Sequence, residues 1–189
     1  MQWGEMIARI YNWDFAILDA IRANCQLPIF DNIAIFLGKV GEAGLIWIAL
    51  AIILLISKKT RRTGVTILIG LVLYLVLGDV LLKKLVARPR PFQIRDVGII
   101  VNPPTGYSFP SGHTFSAFIG ATVLSVQLKG WWRLAYLYAI LAGLSRLYLY
   151  VHFPTDVVAG AVLGILVGLL TCYLVSLFWP QPGDSGAQL

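Results

Sequence analysis

Apolar residues along the chain are gathered into long runs, and short polar stretches separate these runs. Beyond residue 40 the runs occupy residues 43–56, 65–82, 114–128, 134–151 and 157–179. A helix that crosses a bilayer needs about 20 residues, so we expect several runs to extend into their flanks. The first run reaches that length only if its helix begins near Ile33 and carries Lys39 and Glu42 as a pair. The pattern predicts a transmembrane bundle of about five helices.

The first 40 residues are mixed in character rather than continuously apolar. Their apolar positions recur at helical spacing between charged residues: Ile7, Ile10, Tyr11, Phe15, Leu18 and Ile21. This spacing predicts an amphipathic helix, with a break near Pro28. Two placements are open for the helix, in the membrane interface or across the end of the bundle. We therefore divide the chain into an amphipathic interfacial segment, 1–40, a transmembrane domain, 41–179, and a disordered tail, 180–189.

The composition supports a membrane protein. Hydrophobic residues make up 58% of the 189 residues and charged residues only 13%, and the mean hydropathy is +0.79. A soluble domain of this length could not bury so much apolar surface, so we expect an all-α, polytopic transmembrane bundle. The net charge of +6 does not indicate a nucleic-acid partner, because the basic residues lie in short loops between apolar runs. The two cysteines indicate no disulfide framework.

Charged groups interrupt one apolar, aromatic stretch in the last third of the chain. Residues 145–156 carry Arg146, His152 and Asp156. Ionisable groups at membrane depth are costly to bury and usually serve a function. Here they combine a cation that can bind an anion, an imidazole, and a carboxylate that can orient the imidazole. This combination is typical of nucleophilic catalysis.

Two further stretches complete a three-part pattern. Lys83 is followed, after six residues, by Arg90 and Pro91, and residues 110–113 spell Pro-Ser-Gly-His. With the stretch 145–156, they match the patterns K-x6-R-P, P-S-G-H and S-R-x5-H-x3-D in residue, spacing and order. In these motifs the chain resembles the type 2 phosphatidic acid phosphatase (PAP2) superfamily.

The resemblance implies a chemistry for the charged residues. His152 would be the nucleophile that becomes a phosphohistidine, and Asp156 would hold its other ring nitrogen. His113 would be the general acid that protonates the leaving oxygen. No metal and no other cofactor is implied, because the cations would take the part that magnesium plays in other phosphatases.

A phosphate group requires positive and hydrogen-bonding partners. Lys83, Arg90 and Arg146 would supply fixed cations, and the arginines offer planar forks for phosphate oxygens. Ser111 and Gly112 precede an apolar helix, so their backbone N–H groups can point at an anion. The supporting residues that we expect are Asp79, Ser145 and Pro110. Asp79 lies four residues before Lys83, and either holds that lysine or is an interfacial aspartate without a role.

The basic residues Lys84, Arg88 and Arg95 lie in the same loop as the first motif. They could attract anionic headgroups, but we expect them to be solvated surface charges. Gly160, Gly164 and Gly168 recur at four-residue intervals in the last apolar run. This spacing predicts close helix packing within the bundle, with a dimer face as the alternative.

The function that we expect is an integral membrane phosphatase acting on a lipid phosphate or diphosphate. A polyprenyl substrate such as undecaprenyl diphosphate or monophosphate is favoured, and phosphatidylglycerophosphate, phosphatidate and lipid A phosphates are the alternatives. The soluble vanadium haloperoxidases of the same superfamily are disfavoured by the apolar runs. A non-catalytic lipid-binding bundle is disfavoured by the intact histidines. The partners are the lipid substrate and the bilayer, and the oligomeric state is left open.

The order of runs and motifs predicts a topology. The first two motifs flank one loop, and the third follows two crossings later, so all three lie at the same end of the bundle. The opposite loops, 58–62 and 129–133, hold six basic residues. If Lys83 and Arg90 are set aside as phosphate ligands, the positive-inside bias places the site outside the cytoplasm, in a multi-pass protein of the inner or plasma membrane.

Overall fold

The computed structural model describes residues 2–25, 27–128 and 130–181, and all regular secondary structure in these residues is helical. The α-helices are α1 (Gln2–Asn24), α2 (Pro28–Val40), α3 (Leu45–Ile56), α4 (Arg61–Tyr74), α5 (Lys83–Val86), α6 (Pro91–Ile94), α7 (Gly112–Gln127), α8 (Ala135–Tyr148) and α9 (Pro154–Phe178). The expected all-α class is confirmed. Most of the tail predicted as disordered, residues 182–189, lies outside the described residues.

Helix α7 forms the centre of the bundle. It packs most extensively against α9, and also against α8 and α4. Phe115, Ile119 and Val123 on α7 are fully buried. A side-chain carbon on Gly164 of α9 would lie only 2.6 Å from the carbonyl oxygen of Phe115. The glycine repeat of α9 therefore serves packing within the bundle, as the predicted close packing requires.

Helix α4 does not end where the second apolar run ends. It continues through a π-helical segment, Leu75–Leu82, into α5. The stretch 83–110, predicted as a polar loop, thus begins with one helical turn and contains a second, α6. Segments of π-helix are rare and are frequent at functional sites, and this one presents Asp79 and leads directly into Lys83.

The helix predicted to run from Ile33 through the first apolar run is interrupted. Helix α2 ends at Gly41, and a short 3₁₀ turn, Glu42–Gly44, leads into α3. The two helices meet at an angle of 54°. Gly44 adopts φ of 71°, a left-handed conformation that favours glycine and ends the helical path.

Helix α1 is separate from α2, which begins at the predicted break, Pro28. One face of α1 is buried against the end of the bundle, where Phe15 and Leu18 pack on Leu147, Tyr150 and Phe153. Its other face is exposed. The helix thus packs across the bundle end, while its exposed face carries Ile7, Ile10 and Trp13, so its placement in the membrane interface stays a prediction.

Apolar side chains also cover the outside of the bundle, for example Ile53, Val72, Leu166 and Leu177. Among the described residues, two helical stretches are long and apolar enough to cross a membrane, residues 61–94 and α9, and the bent pair α2 and α3 is a third candidate. Helices α7 and α8 are apolar but shorter, with 16 and 14 residues. The count of about five spans therefore stays a prediction.

Candidate active site

His152 lies in the short connection between α8 and α9, and only 4% of its surface is exposed. Arg90 Nη1 lies 3.1 Å from its Nε2. Because a guanidinium can only donate, Nε2 must accept this hydrogen bond with its lone pair, and the ring proton sits on Nδ1. Nδ1 faces the hydroxyl of Ser108 at 3.4 Å and Oδ2 of Asp156 at 3.7 Å.

Burial lowers the pKa of His152 to about 4, and the positive charges of Arg90 and Arg146 act in the same direction. The carboxylate of Asp156 opposes this effect but does not overcome it. His152 is therefore a neutral imidazole at pH 7, with an unprotonated nitrogen directed at Arg90.

Asp156 lies in the first turn of α9 and is completely buried. Its Oδ2 accepts hydrogen bonds from the Ser108 hydroxyl at 2.5 Å and from the backbone N–H of Phe153 at 2.9 Å. Its Oδ1 accepts from Arg88 Nη1 at 2.6 Å. Fixed donors and a cation thus keep the carboxylate ionised and in place beside His152.

Arg90 is held by the backbone. Its guanidinium donates to the carbonyl oxygens of Gly106 at 3.0 Å, Val151 at 2.9 Å and Thr105 at 3.2 Å. Its own N–H donates to the Gln93 side chain at 2.7 Å, which caps α6. The stretch between α6 and α7 therefore fixes the guanidinium against His152.

A cavity of about 170 Å³ opens in front of His152. The residues that line it are Gly41, Gly44, Tyr74, Asp79, Lys83, Arg90, Gly112, His113 and His152. Lys83 Nζ pairs with Asp79 Oδ1 at 2.5 Å, and the Tyr74 hydroxyl donates to Oδ2 of the same carboxylate at 3.0 Å. Of the two interpretations of Asp79, the geometry supports the one in which it holds the lysine.

His113, the first histidine of the motifs, lies at the start of α7 on the same cavity. Its Nε2 is 3.0 Å from the carbonyl oxygen of Gly38. A carbonyl can only accept, so Nε2 of His113 carries a proton. Both histidine rings therefore line one cavity. His152 accepts from Arg90 with its Nε2 lone pair, and His113 donates its Nε2–H to Gly38.

Arg146 lies behind His113 rather than on the small cavity. Its Nη1 is 3.5 Å from His113 Nε2, and its guanidinium donates to the Ser145 hydroxyl at 3.0 and 3.1 Å. It lines a second cavity of about 490 Å³, which it shares with His113. The three expected cations are therefore split, with Lys83 and Arg90 on one side of His113 and Arg146 on the other.

Ser111 corrects an expectation about backbone donors. Its N–H donates to the carbonyl oxygen of Asp156 at 3.1 Å, and its hydroxyl pairs with Thr114 at 3.0 Å. It is fully buried, so its N–H does not point at the cavity. Gly112 does line the cavity, while Pro110 is buried beneath the loop.

Arg88 is the clearest departure from the sequence-based expectation. It was expected to be a solvated charge, but its side chain is buried and bridges Asp14 of α1 and Asp156 of α9, at 2.6 Å each. Ser108 and Asp14 were likewise not singled out. Ser108 lies in an irregular loop, where no hydrophobic periodicity marks a residue as buried, and 74 residues separate Asp14 from Arg88.

In the described part of the chain, no group of three or more His, Cys, Asp or Glu residues could hold a metal ion.

Comparison with known proteins defines the class to which this fold and site belong. The PAP2 superfamily model matches residues 63–180, so the chain belongs to the PAP2 superfamily and is a membrane-embedded lipid phosphatase of that family. The chain is 37% identical over 153 residues to an undecaprenyl-diphosphatase of Sulfolobus acidocaldarius, covering 80% of this chain and 73% of that protein. It is 30% identical over 147 residues to the undecaprenyl-diphosphatase BcrC of Bacillus subtilis, covering 75% and 73%.

A solved structure supports the same assignment. The crystal structure of LpxE from Aquifex aeolicus superposes with a TM-score of 0.70 at 31% identity, over 85% of this chain and 95% of that one. The match extends beyond residues 63–180 of the family model, so the region before them shares the fold as well.

Proposed function

We propose that this protein hydrolyses a polyprenyl diphosphate or monophosphate through a phosphohistidine formed on His152. The observation that carries the proposal is the pairing of the two histidines at one cavity. The lone pair of His152 Nε2 faces Arg90, and the ring of His113, whose N–H donates to Gly38, lines the same cavity. A phosphate group in this cavity would meet a nucleophile and a proton donor together.

In the first step, Nε2 of His152 attacks phosphorus and the bond from phosphorus to the leaving oxygen breaks. Burial and the charge of Arg146 lower the pKa of His113 to about 3 in the free protein, so in this proposal the negative charge of the bound phosphate raises that pKa, and the protonated His113 then transfers a proton to the leaving oxygen. Lys83 and Arg90 stabilise the charge on the phosphoryl oxygens, and Asp156 stabilises the positive charge that develops on the imidazole ring of His152. In the second step, water attacks phosphorus while His113 takes the water proton. The bond between phosphorus and His152 Nε2 breaks, its electron pair returns to Nε2, and phosphate leaves.

The second cavity supports a lipid leaving group. It begins at His113 and Arg146, and Lys39, Glu42 and Asn102 add polar groups to its lining. The rest of its wall is formed mainly by apolar side chains, among them Ile35, Ile100, Val101, Leu149 and Val151. A group leaving from the phosphate on the His113 side would enter this space. A long apolar chain suits such walls better than a soluble alcohol does.

The polyprenyl class is favoured because both relatives reported above are undecaprenyl-diphosphatases. The test is phosphate release by the purified, detergent-solubilised protein. Undecaprenyl diphosphate, undecaprenyl monophosphate, phosphatidylglycerophosphate, phosphatidate and lipid A are compared at equal mole fraction in the micelle. We expect the highest kcat/KM for a polyprenyl substrate.

Chelator and vanadate serve as controls in the same assay. Activity should persist in EDTA and fall with vanadate, which mimics five-coordinate phosphorus. Faster release from a glycerophospholipid would reject the polyprenyl assignment. Loss of activity in EDTA that magnesium restores would reject the cofactor-free mechanism.

We also propose that the site faces away from the cytoplasm. Helix α3 starts beside the site at Gly44 and is 12 residues long, about 18 Å. The basic stretch that follows it therefore lies towards the opposite end of the bundle.

Single cysteines test this orientation in intact cells with an impermeant thiol reagent. Cys25 and Cys172 are first replaced by serine, and Ser57→Cys and Thr105→Cys are then made separately. Both positions are exposed. We expect labelling at 105 and none at 57 until the cells are permeabilised. The reverse pattern would invert the topology.

A further inference from the structure

A buried acidic residue of α1, outside the region matched by the family model, is connected to the site through Arg88. Asp14 has no exposed surface, although the helix around it is largely exposed. Its Oδ2 accepts from Arg88 Nη2 and from the Thr155 hydroxyl, each at 2.6 Å. Its Oδ1 accepts from the backbone N–H of Thr155 at 3.0 Å. Each carboxylate oxygen is therefore engaged.

Arg88 connects this carboxylate to the one beside the nucleophile. Its Nη1 donates to Asp156 Oδ1 at 2.6 Å and to the Thr155 hydroxyl at 2.7 Å, while Nη2 donates to Asp14. The rings of Phe153 and Tyr11 lie 4.0 and 4.7 Å from the guanidinium carbon. One guanidinium thus joins α1 to the first turn of α9.

The arrangement has an electrostatic consequence. A lone Arg88 could turn fully towards Asp156 and neutralise it as a bidentate pair. Because Asp14 takes one edge of the guanidinium, Asp156 keeps Oδ2 for Ser108 and His152 and shares only part of the positive charge. The Thr155 hydroxyl accepts from Arg88 and donates to Asp14, so it fixes the positions of both side chains relative to each other.

We propose that Asp14 is a positioning residue for the phosphatase reaction, which through Arg88 holds the Asp156 carboxylate in the orientation that supports His152. This inference rests on the proposed role of His152 as nucleophile. Asp14 does not touch the cavity, so it acts on the rate of the chemical step and not on substrate binding. It makes the N-terminal helix part of the catalytic apparatus.

The first measurement compares Asp14→Asn with wild type, using lipid substrate in detergent. The amide keeps the shape of the side chain but removes its charge and one acceptor. We expect kcat to fall roughly 10- to 100-fold, the range for groups that orient a reactive residue through a second side chain. KM should remain unchanged, and thermal unfolding is followed to verify that the variant is folded.

Asp19→Asn is the matched control. Asp19 lies on the same helix and pairs with Arg95 at 2.7 Å, and both side chains are about half exposed. It also accepts from the Tyr150 hydroxyl at 2.7 Å, a hydrogen bond that the amide oxygen of the variant can still accept. Its loss weakens attachment of α1 without altering the partners of Asp156, so kcat should stay within about twofold of wild type, as exposed pairs contribute little. Thr155→Val provides a second variant of the network, with a smaller loss of kcat expected.

A double-mutant cycle separates positioning from a structural role. In an Asp156→Asn background, Asp14→Asn should cost less than about threefold, because the group that it positions is already impaired. Three results would overturn the proposal. Asp14→Asn could lower kcat equally in both backgrounds, Asp19→Asn could show the same loss, or kcat of Asp14→Asn could be unchanged. If His152→Ala remains active, the proposed function itself fails, and this result is distinct from failure of the Asp14 inference.

Discussion

The two histidines of the site share one cavity but are held in different ways. His152 contacts side chains on both ring nitrogens, Arg90 on one and Ser108 and Asp156 on the other. Those side chains are themselves fixed by backbone groups and by Arg88. His113 has its Nε2 directed at one backbone carbonyl, that of Gly38.

The difference matches the tasks that we propose for them. A nucleophile must present its lone pair in one direction before the substrate arrives, and preorganisation of this kind lowers the barrier. A general acid must release a proton to a leaving oxygen and then accept one from water, so a single replaceable hydrogen bond is sufficient. The following experiments test whether this division of labour is real.

The largest effect is expected for His152→Ala. Without the imidazole no phosphohistidine can form, so turnover should fall by on the order of 10⁴- to 10⁶-fold, as for nucleophiles of other covalent enzymes. Phosphate release is measured on protein whose thermal unfolding resembles that of wild type. Substantial activity in such a folded variant would show that His152 is not the nucleophile, and the proposed contrast between the two histidines would fail with it.

His113→Gln should have an intermediate effect that depends on the leaving group. Glutamine can still donate to the Gly38 carbonyl but cannot act as an acid, so a lipid substrate should lose roughly 10²- to 10⁴-fold in rate. An aryl phosphate needs little protonation and should lose much less. An equal loss for both substrates would mean that His113 binds phosphate instead of donating a proton.

The smallest effect is expected in the pH dependence. Since the folded pKa of His152 is about 4, the acid limb of kcat/KM should lie well below the ordinary histidine value of about 6.5. A high-pH limb assigned to His113 is expected in kcat, which reports the substrate complex in which the bound phosphate raises its pKa, and it should disappear in His113→Gln. The opposite result would be an acid limb near 6.5 in wild type that is absent from the residual activity of His152→Ala. It would contradict a buried imidazole that stays neutral above pH 4.

The same pKa also predicts a change in stability. Between about pH 6.5 and about pH 4 the unfolded chain binds a proton at residue 152 and the folded chain does not. The free energy of unfolding should therefore decrease as the pH falls through this window and level off below it. His152→Ala should lack this contribution, which thermal unfolding at several pH values can measure.

Much of the fold and part of the site could be predicted from local patterns. Apolar runs of helical length identify the bundle, and motif spacing identifies Lys83, Arg90, His113 and His152, which do meet at one cavity. The interruption between α2 and α3 was missed because its glycines lie next to apolar residues that favour continuation. The splitting of Arg146 from the other cations was missed because residue spacing does not tell on which side of a neighbour a side chain lies.

The sequence by itself determined the helical membrane class, the superfamily and four residues that line one cavity, Lys83, Arg90, His113 and His152, because hydrophobic periodicity and motif spacing are local properties. Only the tertiary structure decided the partners of Asp156. Arg88 and Ser108 precede Asp156 by 68 and 48 residues, and Asp14, which binds Arg88, lies a further 74 residues before that arginine. Each alone resembles an ordinary polar residue. Burial of a carboxylate requires charge and hydrogen-bond compensation, and that compensation comes from whichever segments the packed helices bring together.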